Sequence, residues 1–382
     1  MFSVTCQQRA LYEKVQLVSR GVSGRSTQPI QSNILLQVIK AESDAAETEG
    51  SGYRLNLVAT DLEYIGISTS MEVEAAEEGA ITVPARVLAE MVGRLSAGTV
   101  TMNVDDSNTL DIKGGNYQSQ IRGLPADDFE QLPAPDDPLR FEMPHRDLLR
   151  VLQRTVFSTS SDETRPILTG ALFKTTGNKL EVVATDTYRL ALCQTLLPAE
   201  TEREVEAIIS RRALQEVLRV LHPDAEEMVS ISISDNQVEF VVHDTVIGSR
   251  LIEGQFVNYP KVIPAGGDKR IGVNAIEFAD ALDRAEPIAR QDAHRVVLQI
   301  AEDEMTIRAQ SQDVGRTEES VAVSLEGEPT EIAFNANFLL QMLEACDADE
   351  VVMELSGPLN SGLLRPSDDD AYLYVLMPMQ IM

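Results

Sequence analysis

Apolar and polar positions alternate between two rhythms along this chain, and the whole pattern recurs three times. Leu11, Val15 and Val18 fall at helical spacing and predict a core-facing stripe, with Arg9, Glu13, Gln16 and Arg20 on the opposite face. Leu148, Leu152 and Val156 repeat the stripe and leave Arg146, Arg150 and Arg154 at i, i+4 and i+8. A third such helix is predicted over 274–290, with Ile276, Ala279 and Leu282 inward. A second series reads ITVPARVLAEMVGRL (81–95), AIISRRALQEVLRVL (207–221) and EIAFNANFLLQMLEAC (331–346). In its middle member Leu214, Val217, Leu218 and Leu221 share one face, and Arg212, Gln215 and Arg219 another. Period-two alternation then starts at Val100, Val229 and Val351, with hairpin signals at Lys113-Gly114-Gly115-Asn116 and Ser234-Asp235-Asn236. Each repeat therefore predicts two helices packed on antiparallel sheet, an α+β design.

The repetition is also literal. LNLVATDLEYIGIS (55–68) is answered by LEVVATDTYRLALC (180–193), and the shared ATD begins at Ala59 and Ala184, a step of 125 residues. Solenoid units run to roughly 20–50 residues; this period suits a whole small domain. Three tandem domains follow, 1–135, 139–264 and 267–382. Asp61 and Asp186 occupy equivalent places in successive repeats, so they sit in different domains rather than converging on one catalytic centre. They read as turn residues that bond their own backbone.

Composition adds one difficulty. The chain of 382 residues carries a formal net charge of −29, which by itself argues against a nucleic-acid partner, because binding a polyanion needs clustered Lys and Arg. The charges are unevenly placed, however. Residues 7–20, 145–157 and 210–221 are each net +2 and 84–95 is +1, whereas 274–290 is −2 and 336–346 is −1. Two readings stay open: a cationic surface inside an anionic shell, or ordinary solvated helix faces rich in a good helix former. Cys6, Cys193 and Cys346 are too few for a disulfide framework and suit a reducing, cytoplasmic setting. No apolar run reaches the ~20 residues of a membrane span. The four histidines show no metal-ligand spacing, Cys193 has no neighbouring His, and no phosphate-binding Gly-rich loop with its Lys occurs. No catalytic residue, metal or cofactor is expected, and the chain reads as a binding protein rather than an enzyme.

The threefold repeat, SGRSTQPI (23–30), ETRPILTG (163–170), ATDTYRLA (184–191), FVNYPKVIP (256–264) and the tail YVLMPMQ (374–380) together resemble the bacterial DNA polymerase III beta subunit family, the sliding clamps, in register along essentially the whole chain. The resemblance implies three DNA-clamp domains that dimerise head to tail into a six-domain ring around duplex DNA. Its partners would be the replicative DNA polymerase, the clamp loader and repair proteins, bound through short linear motifs, at the nucleoid and not at a membrane. DNA contacts are implied at Arg25, Arg86, Arg211 and Arg212, to which helical spacing adds Arg9, Arg146, Arg150 and Arg154. A partner-peptide pocket is implied at Arg165, Leu168, Thr185, Tyr188, Arg189, Leu190, Val257, Val262, Met377, Pro378 and Met379. The dimer contact is expected to pair the edge strand near Ile121 with the Pro287–Ile288 region. Three departures stand out: Val257 where many members have Pro, Gln380-Ile381-Met382 where a basic residue usually closes the tail, and AQSQDVG (309–315) in place of a third ATD. The acidic stretch 41–52 resembles a lengthened hairpin loop.

Overall fold

The computed structural model describes residues 2–22, 29–40, 52–62, 64–75 and 77–381. Six helices are distributed in pairs: α1 (Gln8–Val18), α2 (Ala85–Arg94), α3 (His145–Thr155), α4 (Arg211–Val220), α5 (Ala275–Ala289) and α6 (Ala336–Cys346). A strand precedes the first helix of every repeat, Phe2–Gln7, Leu139–Pro144 and Lys269–Asn274. A strand rather than a helix thus opens every repeat: FSVTCQ, LRFEMP and KRIGVN are short alternating runs, easily absorbed into the helical pattern that follows.

The chain forms two compact units, Met1–His145 with Arg212–Leu251, and Arg146–Arg211 with Ile252–Met382. Each holds one 12-stranded sheet whose ladders are all antiparallel. In the first unit the path runs Tyr117–Arg122, Thr109–Gly114, Thr99–Val104, Phe2–Gln7, Ile65–Ala75, Thr245–Arg250, Gln237–Val242, Met228–Ile233, Leu139–Pro144. The strands Asn33–Lys40, Tyr53–Thr60 and Gly79–Pro84 branch off it beside Ile65–Ala75. The branch point is the long strand itself. Its far end (Glu74, Ala75) pairs with Thr5 and Val4, and its first half pairs with the second repeat, Ile67 opposite Ile247 and Gly66 opposite Gly248.

The second unit runs Val205–Ser210, Gly170–Thr176, Lys179–Thr185, Arg189–Leu196, Tyr372–Leu376, Gly362–Pro366, Glu350–Leu355, Lys269–Asn274, Gly315–Glu326, Glu304–Ser311, Arg295–Ile300, Thr330–Asn335. Here Leu190 lies opposite Val375, so the second repeat joins the third as the first joins the second. Strand Gly315–Glu326 pairs with Arg270–Val273 only over its last residues, 323–326. Its remaining length is bonded to Glu304–Ser311 alone among the described residues.

The helices bury the faces that periodicity assigned them, with one exception. Leu11, Val15, Val18, Leu148, Leu152, Leu214 and Val217 are inaccessible to solvent. In α5 the inward stripe is Phe278, Ala281, Leu282, Ala285 and Ala289; Ile276 is 65% exposed and Ala279 only half-buried, so that part of the expected stripe is wrong by one helix position. The bulky Phe278 takes the core site, because the larger apolar area gains more on burial. Helices α1 and α2 approach closely enough that a Cβ on Gly93 would stand 2.6 Å from the Tyr12 ring. No helix among the described residues is long and apolar enough to cross a membrane. Residues 41–51 of the acidic stretch lie outside the described residues.

Candidate peptide pocket and nucleic-acid interface

The repeated ATD is a hydrogen-bonded latch. In the first copy Asp61 Oδ1 accepts from the Tyr64 and Ile65 amides at 2.8 and 2.9 Å, and the Thr60 hydroxyl donates to the Ile65 carbonyl. In the second, Asp186 Oδ1 accepts from Tyr188 and Arg189 at 3.0 Å, and Thr185 donates to the Arg189 carbonyl at 2.6 Å. Both copies place the next residue, Leu62 or Thr187, at positive φ, bonded back to the threonine hydroxyl. The aspartates are structural, as their equivalent positions predicted, and each latch launches the strand that meets the neighbouring repeat.

Beside the second latch lies an apolar surface. Leu172, Val183, Leu190, Leu192, Ile208, Tyr259 and Val375 form a buried floor, and Ile167, Ile252, Phe256, Val257, Ile263, Leu363 and Leu373 cover it while remaining partly exposed. The Tyr259 hydroxyl donates to Glu181 at 3.1 Å, and burial together with that carboxylate pushes its pKa up to about 12, so it stays a neutral donor. Of the residues expected here, Leu190 belongs to the floor and Val257 to its cover. Val262 and Met377 stand exposed, with Tyr188 64% exposed. The Met377 amide donates to the Tyr188 carbonyl, and the Met379 amide to Ala333, which fixes the tail around half-buried Pro378 and Met379. Leu168 is buried in the turn Pro166–Leu168, and Arg165 is exposed near Asp162.

Arg189 opens the strand that follows the second latch. Its guanidinium is buried, bonded to Asp186, Gln341 and the Phe157 carbonyl, and lies 4.1 Å and 5.2 Å from the Phe338 and Phe157 ring centres. Three of the five N–H groups of its guanidinium are engaged in this way, so Arg189 braces the latch. Sequence reasoning missed most of the floor, although Ile208, Phe256 and Tyr259 sit inside stretches already singled out. Ile208 lies on an end strand of its sheet and Tyr259 in a short turn, and only tertiary packing brings them onto one surface with Leu190 and Val375.

The basic side chains divide into three groups. Arg9, Arg86 and Arg146 are exposed, the first two within reach of Glu13 and Glu90 on their own helices. Arg150, Arg211 and Arg212 are partly engaged or half-covered: Arg150 with Asp147 and Thr195, and Arg212 with Asp61 and the carbonyls of Arg20 and Val22. Arg154 is buried against Asp369 and the Tyr372 ring. Its place in an exposed arginine stripe is thereby corrected: Asp369 and the Cys346 carbonyl hold its guanidinium away from solvent. Arg25 lies outside the described residues. In the first unit a groove of about 520 Å³ also gathers Lys14, Arg20 and Arg219, none of which the sequence reading marked as a DNA contact. Ion pairs to Asp244 and Glu216 moderate that charge. The three thiols are buried, and burial raises their pKa, that of Cys6 to about 12, which leaves them poor nucleophiles. Among the described residues no cluster of His, Cys, Asp and Glu could hold a metal ion.

Three α+β repeats, joined strand to strand, the first two carrying helices with arginines on the face away from the core, define the DNA-clamp class of binding protein. Models of the DNA polymerase III beta subunit match its N-terminal domain over residues 2–133, its central domain over 142–260 and its C-terminal domain over 260–380. The beta sliding clamp of Pseudomonas putida is 32% identical over 378 residues, 99% of each chain, and that of Bacillus subtilis is 30% identical over 379 residues, 98% of this chain and 99% of the other. The crystal structure of a sliding clamp from Bartonella birtlesii bound to griselimycin superposes with a TM-score of 0.90 at 32% identity, covering 100% of both chains. A Pseudomonas aeruginosa clamp bound to the same compound gives 0.90 at 30% identity, again with full coverage. The chain belongs to the DNA polymerase III beta subunit family. Its role is that of a DNA sliding clamp, a processivity factor that works with DNA and polymerase and catalyses nothing itself.

Proposed function

We propose that two copies of this chain close head to tail into a ring around duplex DNA, each copy contributing the domains 1–135, 139–264 and 267–382. The observation that carries this reading is a strand junction made twice within the chain and left unmade a third time. Strand Ile65–Ala75 receives Thr245–Arg250, and Arg189–Leu196 receives Tyr372–Leu376. The counterparts left over are Tyr117–Arg122, an end strand of its sheet, and the first half of Gly315–Glu326. Transferring the register of the first junction puts Ile121 opposite the partner copy's Gly315, and Tyr117 opposite its Glu319. Exposed ladder edges of this kind are templates for another chain. Pro287 and Ile288 lie in α5, which packs on Gly315–Glu326, so they would flank this contact rather than form the ladder.

Within the ring, Arg9, Arg25, Arg86, Arg146, Arg150, Arg211 and Arg212 meet phosphates. Holding by encirclement needs no base readout, and a modest net charge on the helices keeps the grip weak enough to slide. The apolar surface beside the second latch takes short linear motifs from polymerase, clamp loader and repair proteins; methionines at its rim repack around different anchors. The chain would accordingly work at the nucleoid, in the cytoplasm. Retention after loading on circular as against linearised DNA tests the ring: a topological clamp stays on the circle and runs off free ends, and equal loss from both would refute encirclement.

A further inference from the structure

The tail beside the apolar surface is pinned to the third repeat by a side chain that lies outside that surface. Past Tyr372–Leu376 the chain runs on as a short strap. Its Met377 amide donates to the Tyr188 carbonyl at 2.9 Å. Its Met379 amide donates to the Ala333 carbonyl at 2.7 Å, which lays the strap along Thr330–Asn335, the end strand of its sheet. Pro378 has no N–H with which to add a bond between them. A further hold comes from Arg295, whose guanidinium donates to the Gln380 carbonyl and to Asp292 Oδ1, both at 2.9 Å. That side chain is 9% exposed, and its Nε has no hydrogen-bond partner among the described residues. Burying a guanidinium with one N–H unsatisfied is costly. The arrangement keeps it there for a charge-assisted bond to the tail's main chain, one residue beyond Met379.

We propose that Arg295 is a positioning residue for peptide binding. By clasping the Gln380 carbonyl it holds Pro378 and Met379 at the rim of the apolar surface, in the conformation that an incoming peptide meets. The inference rests on the reading of that surface as the partner-peptide pocket. Arg295 belongs neither to the floor nor to its cover, so it acts through the tail. Chain ends fray unless they are tied down, and a site ordered only part of the time binds more weakly in proportion. Because the acceptor is main chain, the clasp does not depend on which side chain stands at 380.

The test uses the full-length protein and a labelled C-terminal peptide of the replicative polymerase. Arg295→Met keeps the aliphatic stem and removes the clasp; with the strap ordered about a tenth of the time, affinity falls about tenfold. Arg295→Lys retains the charge and one donor, and should recover part of the loss. Asp292→Asn removes the charge from the other partner of Arg295 and should leave affinity within about twofold. Hydrogen exchange separates positioning from general destabilisation. In Arg295→Met the Met379 amide should exchange about tenfold faster, while the ladder between Arg295–Ile300 and Thr330–Asn335 keeps its protection. Faster exchange throughout that ladder, or unchanged affinity with unchanged exchange at Met379, would overturn the proposal. Faster exchange at Met379 with unchanged affinity is resolved by deleting residues 377–382. A deletion that weakens the peptide would then overturn the positioning role alone, and one without effect would overturn the pocket reading beneath it.

Discussion

Arg154 separates a structural arginine from a DNA-binding one, and the separation can be measured. Its side chain is 9% exposed. It donates to Asp369 at 2.5 Å and to the Cys346 carbonyl at 2.9 Å, and its guanidinium carbon stands 5.1 Å from the Tyr372 ring centre. Arg154→Met keeps much of the aliphatic volume and deletes all three interactions. Removing one partner of a buried pair costs about 3–5 kcal/mol, but Asp369 retains 24% exposure and can rehydrate. A loss of about 2–3 kcal/mol is therefore expected, read from urea unfolding. Burial pushes the Asp369 carboxyl up, yet the hydrogen bonds from Arg154 and the Ala371 amide outweigh it and hold the pKa below the ordinary 3.8. A depressed carboxyl contributes stability above its unfolded pKa and loses it as pH falls through the folded one. The variant should accordingly show a flatter acid limb below about pH 4. Its DNA affinity should keep the same dependence on salt, since each lost phosphate contact would lower the slope by about 0.9. A slope reduced by that amount with stability unchanged would refute the reasoning and return Arg154 to the DNA surface.

Three further outcomes follow from the geometry. Ser119→Cys combined with Thr317→Cys in one chain should form an inter-copy disulfide, because the transferred register sets these residues opposite each other at the Cα spacing of an antiparallel pair, about 4.5–5.5 Å; a non-reducing gel with only the 41.9 kDa species would sink that register. His145 is buried, its Nε2 has no hydrogen-bond partner among the described residues, and burial followed by the nearby His243 lowers its pKa from the ordinary 6.5. The folded state thus resists its protonation, stability should fall as pH drops below about 6.5, and His145→Gln should remove that dependence; identical pH profiles for the two proteins would exclude it. Met379→Ala should weaken a polymerase-tail peptide by about 1–3 kcal/mol as loss of an anchor, and an unchanged titration curve would count against the pocket.

Much of this architecture was legible because it rests on local periodicity repeated three times. Leu11, Val15 and Val18 needed nothing beyond helical spacing, and Asp61 with Asp186 were recognisable as turn residues because they recur 125 residues apart. Long-range electrostatics was the part that periodicity could not supply. Arg150 and Arg154 occupy successive turns of α3, yet the first reaches Thr195 and stays half-exposed, while the second finds Asp369, 215 residues away, and is buried. Arg189 is likewise claimed by Gln341 from 152 residues off. A charged side chain on a helix stripe announces its type, while its duty depends on which carboxylate the distant chain delivers. The apolar floor escaped for the same reason: Ile208, Tyr259 and Val375 come from three separated strands or turns that only tertiary pairing gathers.

The latch and the junction distinguish the third repeat, which has no ATD, from the first two. In the first two repeats the latch reverses the chain widely, Thr60 opposite Gly66 in the ladder, and frees the start of the following strand to accept another repeat's strand. In the third, Ser311 lies opposite Gly315 and the turn between them is tight, with the Asp313 amide bonded to the Ser311 hydroxyl at 3.3 Å. The edge that emerges carries Arg316, Glu318 and Glu319, and two of these are already paired, with Arg308 and Arg284. Neutralised charges along an edge discourage indiscriminate strand addition while leaving the backbone groups available to one complementary strand. The internal junctions, by contrast, are lined with Ile65, Ile67 and Ile247, or Leu190, Leu192 and Val375, all buried. In the ring proposed above, the third edge is the seam that would part to admit DNA, and its paired surface charges suit a seam that opens, whereas the apolar internal junctions suit ones that stay closed.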